Sequence, residues 1–187
     1  MSFTTINLRP QKFKYEGNHY DPAPLPGDDR SKATLSKVAP DSLIIFVHGF
    51  RGEALETWTG FDQLAIADDA FKASDLVFFG YDGYESNVLA GASFLYDLLN
   101  RLDTDQSALV GINRPDLVKI RSNGYRRIVL VAHSLGAVVC RWAILRAVEE
   151  KKDWRNKLRL LLFAPAHTGS DLAALAAMGT TGFPWIH

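Results

Sequence analysis

Ser134 is the residue whose type and position most directly predict chemistry. It lies within residues 131–136, VAHSLG, where an apolar run passes directly into a helical run. On such a tight turn a strained backbone holds the hydroxyl away from the sheet, and small residues are needed two positions before and after it because strand and helix pass close together. Ala132 and Gly136 meet that need. The pattern therefore predicts a nucleophile, and the alternative is a serine that caps a structural helix.

Three further apolar runs end in residues suited to a site. They are followed by His48-Gly49-Phe50, by Gly80-Tyr81-Asp82 and by Pro165-Ala166-His167. Ligands of parallel α/β sheets bind beyond the carboxyl ends of the strands, so we expect these groups to converge with Ser134 on one edge of the sheet. Asp82 follows the run before the serine strand, and we interpret it as a turn or cap residue.

The elements that would position these residues alternate along the chain. Short runs at residues 43–47, 76–79, 128–132 and 158–163 are apolar on both faces, as in strands buried on both sides. Between and after them, residues 54–71, 87–101, 135–151 and 172–178 carry helical patterns. This alternation predicts an α/β fold, a three-layer sandwich with a mostly parallel central sheet.

The remaining segments are less regular. Residues 3–8 and 12–15 alternate weakly and predict short strands, and residues 21–29, DPAPLPGDD, predict a loop. The length of 187 residues predicts a single domain over residues 1–187.

Composition narrows the functional classes. Lysine plus arginine and aspartate plus glutamate each number 21, so a partner gathered by bulk charge, such as nucleic acid, is not expected. No stretch has the apolar length of a transmembrane segment, no secretory signal is recognisable, and a cytoplasmic location is the expectation. The single cysteine, Cys140, excludes an internal disulfide and predicts a buried, inert thiol.

Cofactor chemistry is not indicated. The five histidines show no close pair and no HExxH motif, so no metal site is expected. A nucleotide-binding α/β domain would need a glycine-rich phosphate loop after a strand, and the sequence has none. We therefore expect no cofactor.

Residues 132–136 resemble the nucleophile elbow of the α/β-hydrolase family, G-x-S-x-G, with Ala132 in the first position. The resemblance extends over about residues 42–175. It implies an oxyanion hole formed by the backbone N–H groups of Phe50 and Leu135. It also implies that Gly49 lets the backbone come close to the substrate. We interpret His48 as a structural histidine that orders the loop rather than as a base.

The same resemblance assigns His48, Gly49, His133 and Gly136 to the motifs around the site. By analogy, residues 1–41 would hold the first, partly antiparallel strands. The stretch at residues 163–170, which contains His167, is similar to one that lines the rim of the site in lipase-like esterases.

A serine hydrolase also needs a base and an orienting acid, which follow the serine in this family. Only 53 residues follow Ser134, and their histidines are His167 and the terminal His187. We expect that C-terminal strands of the fold are missing, and that a C-terminal segment, covalently continuous or separate, supplies the base. Within the chain, His167 is the alternative base and Asp171 the alternative acid.

The resemblance implies a serine esterase or lipase that cleaves a small-molecule or lipid ester. The carbonyl that Ser134 attacks belongs to a carboxylic ester, a thioester or a lipid, and apolar residues such as Phe50, Trp58 and Tyr84 favour an acyl chain. The alternative is a non-catalytic or incomplete module of the same fold, acting as an interaction or effector domain of a larger protein.

Overall fold

The computed structural model describes residues 17–50, 52–61, 68–82, 88–110 and 114–165. In this part of the chain six strands form one sheet in the order β1-β2-β4-β3-β5-β6. The strands are β1 (Ala23–Leu25), β2 (Asp28–Thr34), β3 (Ser42–Val47), β4 (Ser74–Phe79), β5 (Arg127–His133) and β6 (Leu158–Phe163). The helices are α1 (Val88–Thr104), α2 (Pro115–Lys119) and α3 (Gly136–Glu149), with short 3-10 turns at Glu56–Trp58, Asp69–Phe71, Gln106–Leu109 and Asp153–Lys157.

Strand pairing brings the predicted site to one edge of the sheet. Strands β4, β3, β5 and β6 are parallel, whereas β1 pairs with β2 and β2 with β4 in antiparallel fashion. Val47 at the end of β3 aligns with Phe79 on one side and Ala132 on the other, and His133 aligns with Phe163. The predicted α/β architecture with a mostly parallel sheet is confirmed, including the antiparallel first strands.

The two faces of the sheet bury different sets of apolar side chains. Alternate residues of β3, among them Leu43, Ile45 and Val47, pack in one cluster with side chains of α1 and α3. The others, Ile44 and Phe46, pack in a second cluster beneath the Glu56–Trp58 turn. Side chains alternate between the two faces along a strand, so a strand that is buried on both faces needs apolar residues at consecutive positions. The four predicted strands and the helices predicted at residues 87–101 and 135–151 are confirmed.

The prediction of a loop at residues 21–29 is wrong. This segment contains β1 and the start of β2, joined by a turn in which Gly27 has φ +78°. Pairing compensates for the poor strand propensity of its proline and aspartate residues: Pro24 aligns with Lys32, and Leu25 is 2% exposed. The Asp28 carboxylate also accepts hydrogen bonds from the N–H groups of Arg30 and Ser31.

One further expectation needs correction, and another is tested only in part. Within residues 54–71 the structure has the 3-10 turns Glu56–Trp58 and Asp69–Phe71 and a helical Phe61, while residues 62–67 of this predicted helical segment lie outside the described residues. Strand β6 is not buried on both faces, because Leu161 and Phe163 are exposed on the side opposite Leu160. In the described sheet β6 is the last strand, and the face that carries Leu161 and Phe163 lacks the cover that both faces of β3 and β4 have.

A buried ion pair between Asp75 and Arg121 lies at the amino end of β4, opposite the strand ends that carry the candidate site. Asp75, near the start of β4, accepts hydrogen bonds from Arg121 Nε and Nη2 at 2.8 and 2.7 Å and from the Tyr125 hydroxyl at 2.7 Å. It also accepts the Ser36 N–H at 2.8 Å, while Arg121 donates to the Ser36 and Leu117 carbonyls. The multiple hydrogen bonds offset the cost of burying both charges. Burial and the adjacent Asp75 carboxylate raise the pKa of Tyr125.

The remaining predictions for single elements lie outside the described residues. These are the strands at residues 3–8 and 12–15 and the helix at residues 172–178. None of the helices in the described part of the chain combines the length and apolar character needed to cross a bilayer.

Candidate active site

Ser134 lies on the turn between β5 and α3 with a left-handed backbone. Its φ is +51°, a conformation that costs a non-glycine residue on the order of 1–2 kcal/mol. Two hydrogen bonds hold the turn: the Ser134 N–H donates to the Phe163 carbonyl at 3.0 Å, and the Ala137 N–H donates to the Ser134 carbonyl at 3.1 Å. The residue is half-buried, so the strained turn presents a partly accessible serine at the carboxyl edge of the sheet.

The structure explains why residue 136 must be small. A Cβ on Gly136 would lie 2.4 Å from the Val47 carbonyl oxygen and 2.5 Å from that of His48. The first turn of α3 therefore packs directly on the end of β3. Ala132, two residues before the serine, is completely buried.

The loop after β3 lies against the serine turn. A Cβ on Gly49 would stand 2.8 Å from Ser134 Cβ and 3.1 Å from the His133 carbonyl oxygen. Leu135 follows the serine with helical angles, φ −61° and ψ −27°, at the start of α3, where N–H groups lack acceptors within the helix. The structure thus brings Ser134, Gly49 and Leu135 together, with Phe50 next along the loop.

His48 is buried and both of its ring nitrogens are engaged. Nδ1 lies 2.8 Å from the Gly49 carbonyl oxygen, and the Tyr81 N–H donates to Nε2 at 3.3 Å. Because the backbone N–H only donates, Nε2 is the acceptor and Nδ1 carries the proton. Burial lowers the pKa of His48. A neutral ring with both nitrogens occupied is poorly suited to act as a general base for Ser134.

Tyr81, at the end of β4, supports His48 in two further ways. Its hydroxyl donates to the His48 carbonyl at 2.9 Å, and the two rings stack with centroids 4.3 Å apart. Sequence reasoning placed Tyr81 at this edge of the sheet but gave it no role. The sequence signal that could have indicated a role was an aromatic residue directly after Gly80, the glycine that follows the strand.

An aromatic cluster flanks the serine turn on the β6 side. We use this name for Phe46, Trp58, Phe61, His133 and Phe163. The centroid of the Trp58 ring lies 5.2 Å from that of Phe46, 6.4 Å from that of His133 and 6.3 Å from that of Phe163. The ring centroids of Phe61 and Phe163 are 5.7 Å apart. Trp58 is 4% exposed, whereas Phe61 and Phe163 are 43% and 40% exposed. The cluster therefore offers an accessible apolar surface close to Ser134.

A cleft of about 410 Å³ opens at the ends of β3 and β4. His48, Tyr81 and Asp82 contribute to its lining. Charged side chains surround it, among them Arg30, Lys32, Glu53 and Glu56. Charged side chains therefore lie around this cleft, whereas the aromatic cluster is apolar.

None of the residues described so far is the predicted acid or base. His167 and Asp171 lie outside the described residues, as does Tyr84. His19 lies at the far edge of the sheet, with Nε2 2.8 Å from the Ser74 carbonyl oxygen. Cys140 is fully buried on α3, as predicted, and burial raises its pKa. In the described part of the chain, no group of three or more histidine, cysteine or acidic residues could hold a metal ion.

Comparisons with known proteins relate this chain to esterases. A family model described as "Putative serine esterase (DUF676)" matches residues 37–168. No curated protein matches the sequence.

Similar solved structures include an inhibited esterase B from Lactobacillus rhamnosis (TM-score 0.52, 14% identity), where 83% of this chain aligns with 50% of the other. A bacterial heroin esterase has a TM-score of 0.49 at 15% identity, covering 75% of this chain and 43% of the other. An esterase from Rhizomucor miehei has a TM-score of 0.47 at 15% identity, covering 84% and 50%.

The chain spans about half the length of these solved esterases. The structural likeness to esterase B shows the α/β-hydrolase fold. The family model covers more than half of the chain, including β3, β4, β5, β6 and the serine turn. The chain therefore belongs to the family described as "Putative serine esterase (DUF676)".

Proposed function

We propose that the protein is a serine esterase in which Ser134 is the nucleophile. The observation that carries the proposal is the left-handed backbone of Ser134, φ +51°, on a strand–helix turn packed against Gly49. A strained conformation at a half-buried polar residue needs a reason, and presenting a nucleophile beside N–H donors is one. Membership of the serine esterase family supports the same assignment.

In the proposed reaction the Ser134 hydroxyl oxygen attacks the carbonyl carbon of a carboxylic ester. The N–H groups of Phe50 and Leu135 bind the negative oxygen of the tetrahedral intermediate, each donor contributing about 3 kcal/mol to its stability. The C–O bond to the alcohol breaks and the alcohol leaves with a proton. Water then attacks the acyl-enzyme, which releases the carboxylic acid and regenerates Ser134.

Proton transfer requires a histidine base. His48 does not suit this role, because its ring is buried and hydrogen-bonded on both nitrogens. A histidine supplied by a C-terminal segment remains the prediction, and His167 with Asp171 as its acid is the alternative within the chain. Either one would have to reach the carboxyl edge of the sheet, where the Ser134 turn lies.

The surroundings of the serine support an orientation for the substrate. The aromatic cluster, with Phe61 and Phe163 exposed, suits an apolar acyl group of a small-molecule or lipid ester. The cleft at the ends of β3 and β4 has charged side chains such as Glu53 and Lys32 in its lining and suits a hydroxylated or charged alcohol. The acyl group would lie toward the aromatic cluster and the alcohol toward this cleft.

Hydrolysis of p-nitrophenyl acetate and butyrate tests the proposal. Ser134→Ala is expected to lower kcat/KM at least about a thousand-fold, because the acyl-enzyme cannot form. Ser122→Ala is the matched control, since Ser122 is exposed and its hydroxyl donates to the Lys119 carbonyl away from the site. A Ser134→Ala variant that keeps the wild-type rate would contradict the proposal.

A further inference from the structure

The loop that carries Phe50 is held by a short chain of contacts that starts at Tyr81. The Tyr81 N–H donates to His48 Nε2 at 3.3 Å, which leaves the ring proton on Nδ1. The Tyr81 hydroxyl donates a hydrogen bond to the His48 carbonyl oxygen at 2.9 Å. The stacked Tyr81 and His48 rings restrict rotation of the imidazole. Tyr81 thus determines both the tautomer and the orientation of His48.

His48 Nδ1 donates its proton to the carbonyl oxygen of Gly49, at 2.8 Å. The Gly52 N–H donates to the same oxygen at 3.2 Å. This carbonyl belongs to the peptide unit that also contains the Phe50 N–H. A trans peptide is planar and its C=O and N–H point in opposite directions. Holding the Gly49 oxygen against the His48 ring therefore directs the Phe50 N–H away from that ring.

Tyr81 is itself immobilised. It is 6% exposed, and Gly91 on α1 lies so close that an added Cβ would stand 2.9 Å from the Tyr81 ring. The orientation of the loop is therefore anchored to the core through α1. A donor fixed before the reaction stabilises developing charge without the cost of reorganising during it.

We propose that Tyr81 is a positioning residue: it fixes the tautomer and orientation of His48 and, through the Gly49 peptide, the direction of the Phe50 N–H. This inference rests on the proposed function, in which Phe50 supplies one of the two oxyanion donors. His48 acts through the Gly49 peptide, and Tyr81 acts through His48. Neither residue takes part in proton transfer.

Three variants separate the contacts. His48→Ala removes the donor to the Gly49 carbonyl. His48→Asn restores it, because the side-chain amide nitrogen of asparagine is as many bonds from the backbone as Nδ1 is. Tyr81→Phe removes only the hydroxyl that holds the His48 carbonyl. Each variant of the 187-residue chain is measured in two ways: kcat and KM for p-nitrophenyl butyrate, and the residual dipolar coupling of the Phe50 N–H in weakly aligned, ¹⁵N-labelled protein.

We expect His48→Ala to lower kcat about 10–100-fold with KM little changed, since an oxyanion donor acts in the transition state. His48→Asn should recover most of kcat, and Tyr81→Phe should lower kcat less than His48→Ala. The Phe50 coupling should change in His48→Ala and return in His48→Asn. Equal losses in His48→Ala and His48→Asn, or an unchanged Phe50 coupling in both, would overturn the inference.

The coupling also separates this inference from the proposed function. If the wild-type chain hydrolyses no ester but the Phe50 coupling changes and recovers as described, catalysis by these 187 residues alone fails while the positioning of Phe50 stands. If the wild type is active and the coupling does not respond, the positioning fails alone. If His48→Ala does not fold, the inference is decided by Tyr81→Phe, which must change the coupling and lower kcat for it to hold.

Discussion

Gly49 and Ser134 are in such close contact that a Cβ on the glycine would lie 2.8 Å from the serine Cβ. The same added carbon would lie 3.1 Å from the carbonyl oxygen of His133, which directly precedes the serine. Contacts this short leave no room for a side chain. The two segments are distant in the sequence and meet because β3 and β5 are adjacent, parallel strands. The loop after β3 and the turn after β5 therefore pack as one unit.

Replacing Gly49 with alanine tests this contact. Gly49→Ala is expected to displace Ser134 or the 48–50 loop and to lower kcat/KM at least about tenfold, because small misplacements of reacting groups are costly. The measurement is p-nitrophenyl butyrate hydrolysis, with circular dichroism to verify that the variant is folded. A folded Gly49→Ala protein with wild-type kcat/KM would contradict the close packing of loop and turn.

The aromatic cluster makes a prediction about acyl chain length. Phe61→Ala removes exposed apolar surface near Ser134 and should lower the kcat/KM ratio of hexanoate to acetate esters about 3–10-fold. Phe94→Ala is the matched control, since Phe94 is 59% exposed on α1 and is not part of the cluster. An unchanged ratio in Phe61→Ala, or an equal drop in Phe94→Ala, would refute an acyl site at this cluster.

The buried pair of Asp75 and Arg121 predicts a loss of stability. Both side chains are 0% exposed, so Arg121→Met leaves a buried carboxylate without its partner and should cost about 3–5 kcal/mol in the free energy of unfolding. Urea unfolding at pH 7 measures this. Asp116→Asn, which removes an exposed ion pair with Arg114, should leave the unfolding midpoint nearly unchanged. Equal effects of the two substitutions would contradict the buried character of the Asp75 pair.

Stability should fall as the solution is acidified from about pH 7 to about pH 5. Burial lowers the pKa of both His19 and His48 in the folded protein. Below the unfolded value of about 6.5, the unfolded chain binds protons that the folded chain does not, so the free energy of unfolding decreases. His19→Gln keeps a donor for the Ser74 carbonyl and removes one titrating group, and should therefore make this dependence shallower. An unchanged slope in the variant would exclude His19 as a contributor.

Sequence patterns predicted the parts of the fold that depend on local apolar runs. The four parallel strands were recognisable because each is a short apolar segment covered on one face or on both. The run at residues 76–79 was placed two residues late, since Ser74 and Asp75 are polar. Asp75 is part of β4, where it pairs with Leu43, and Arg121, 46 residues away, compensates its buried charge. Such a long-range pair has no signature in the local sequence.

The hairpin of β1 and β2 illustrates the same limit. Its proline, glycine and aspartate residues favour a loop locally, and only pairing with β4 makes β2 part of the sheet. The serine turn was predictable because strand, small residues and helix lie consecutively at residues 131–136. The contact between Tyr81 and His48 was not predictable, because the two residues are 33 positions apart in the chain.

The most direct test of the central claim is covalent labelling of Ser134. The folded 187-residue chain is treated with a fluorophosphonate, which phosphonylates activated serines, and intact mass is measured for wild type and Ser134→Ala. A single adduct in the wild type that is absent from Ser134→Ala is the predicted result. The same adduct on Ser134→Ala would contradict the assignment of Ser134 as the nucleophile, and no adduct on the folded wild type would contradict the presence of its base within these 187 residues.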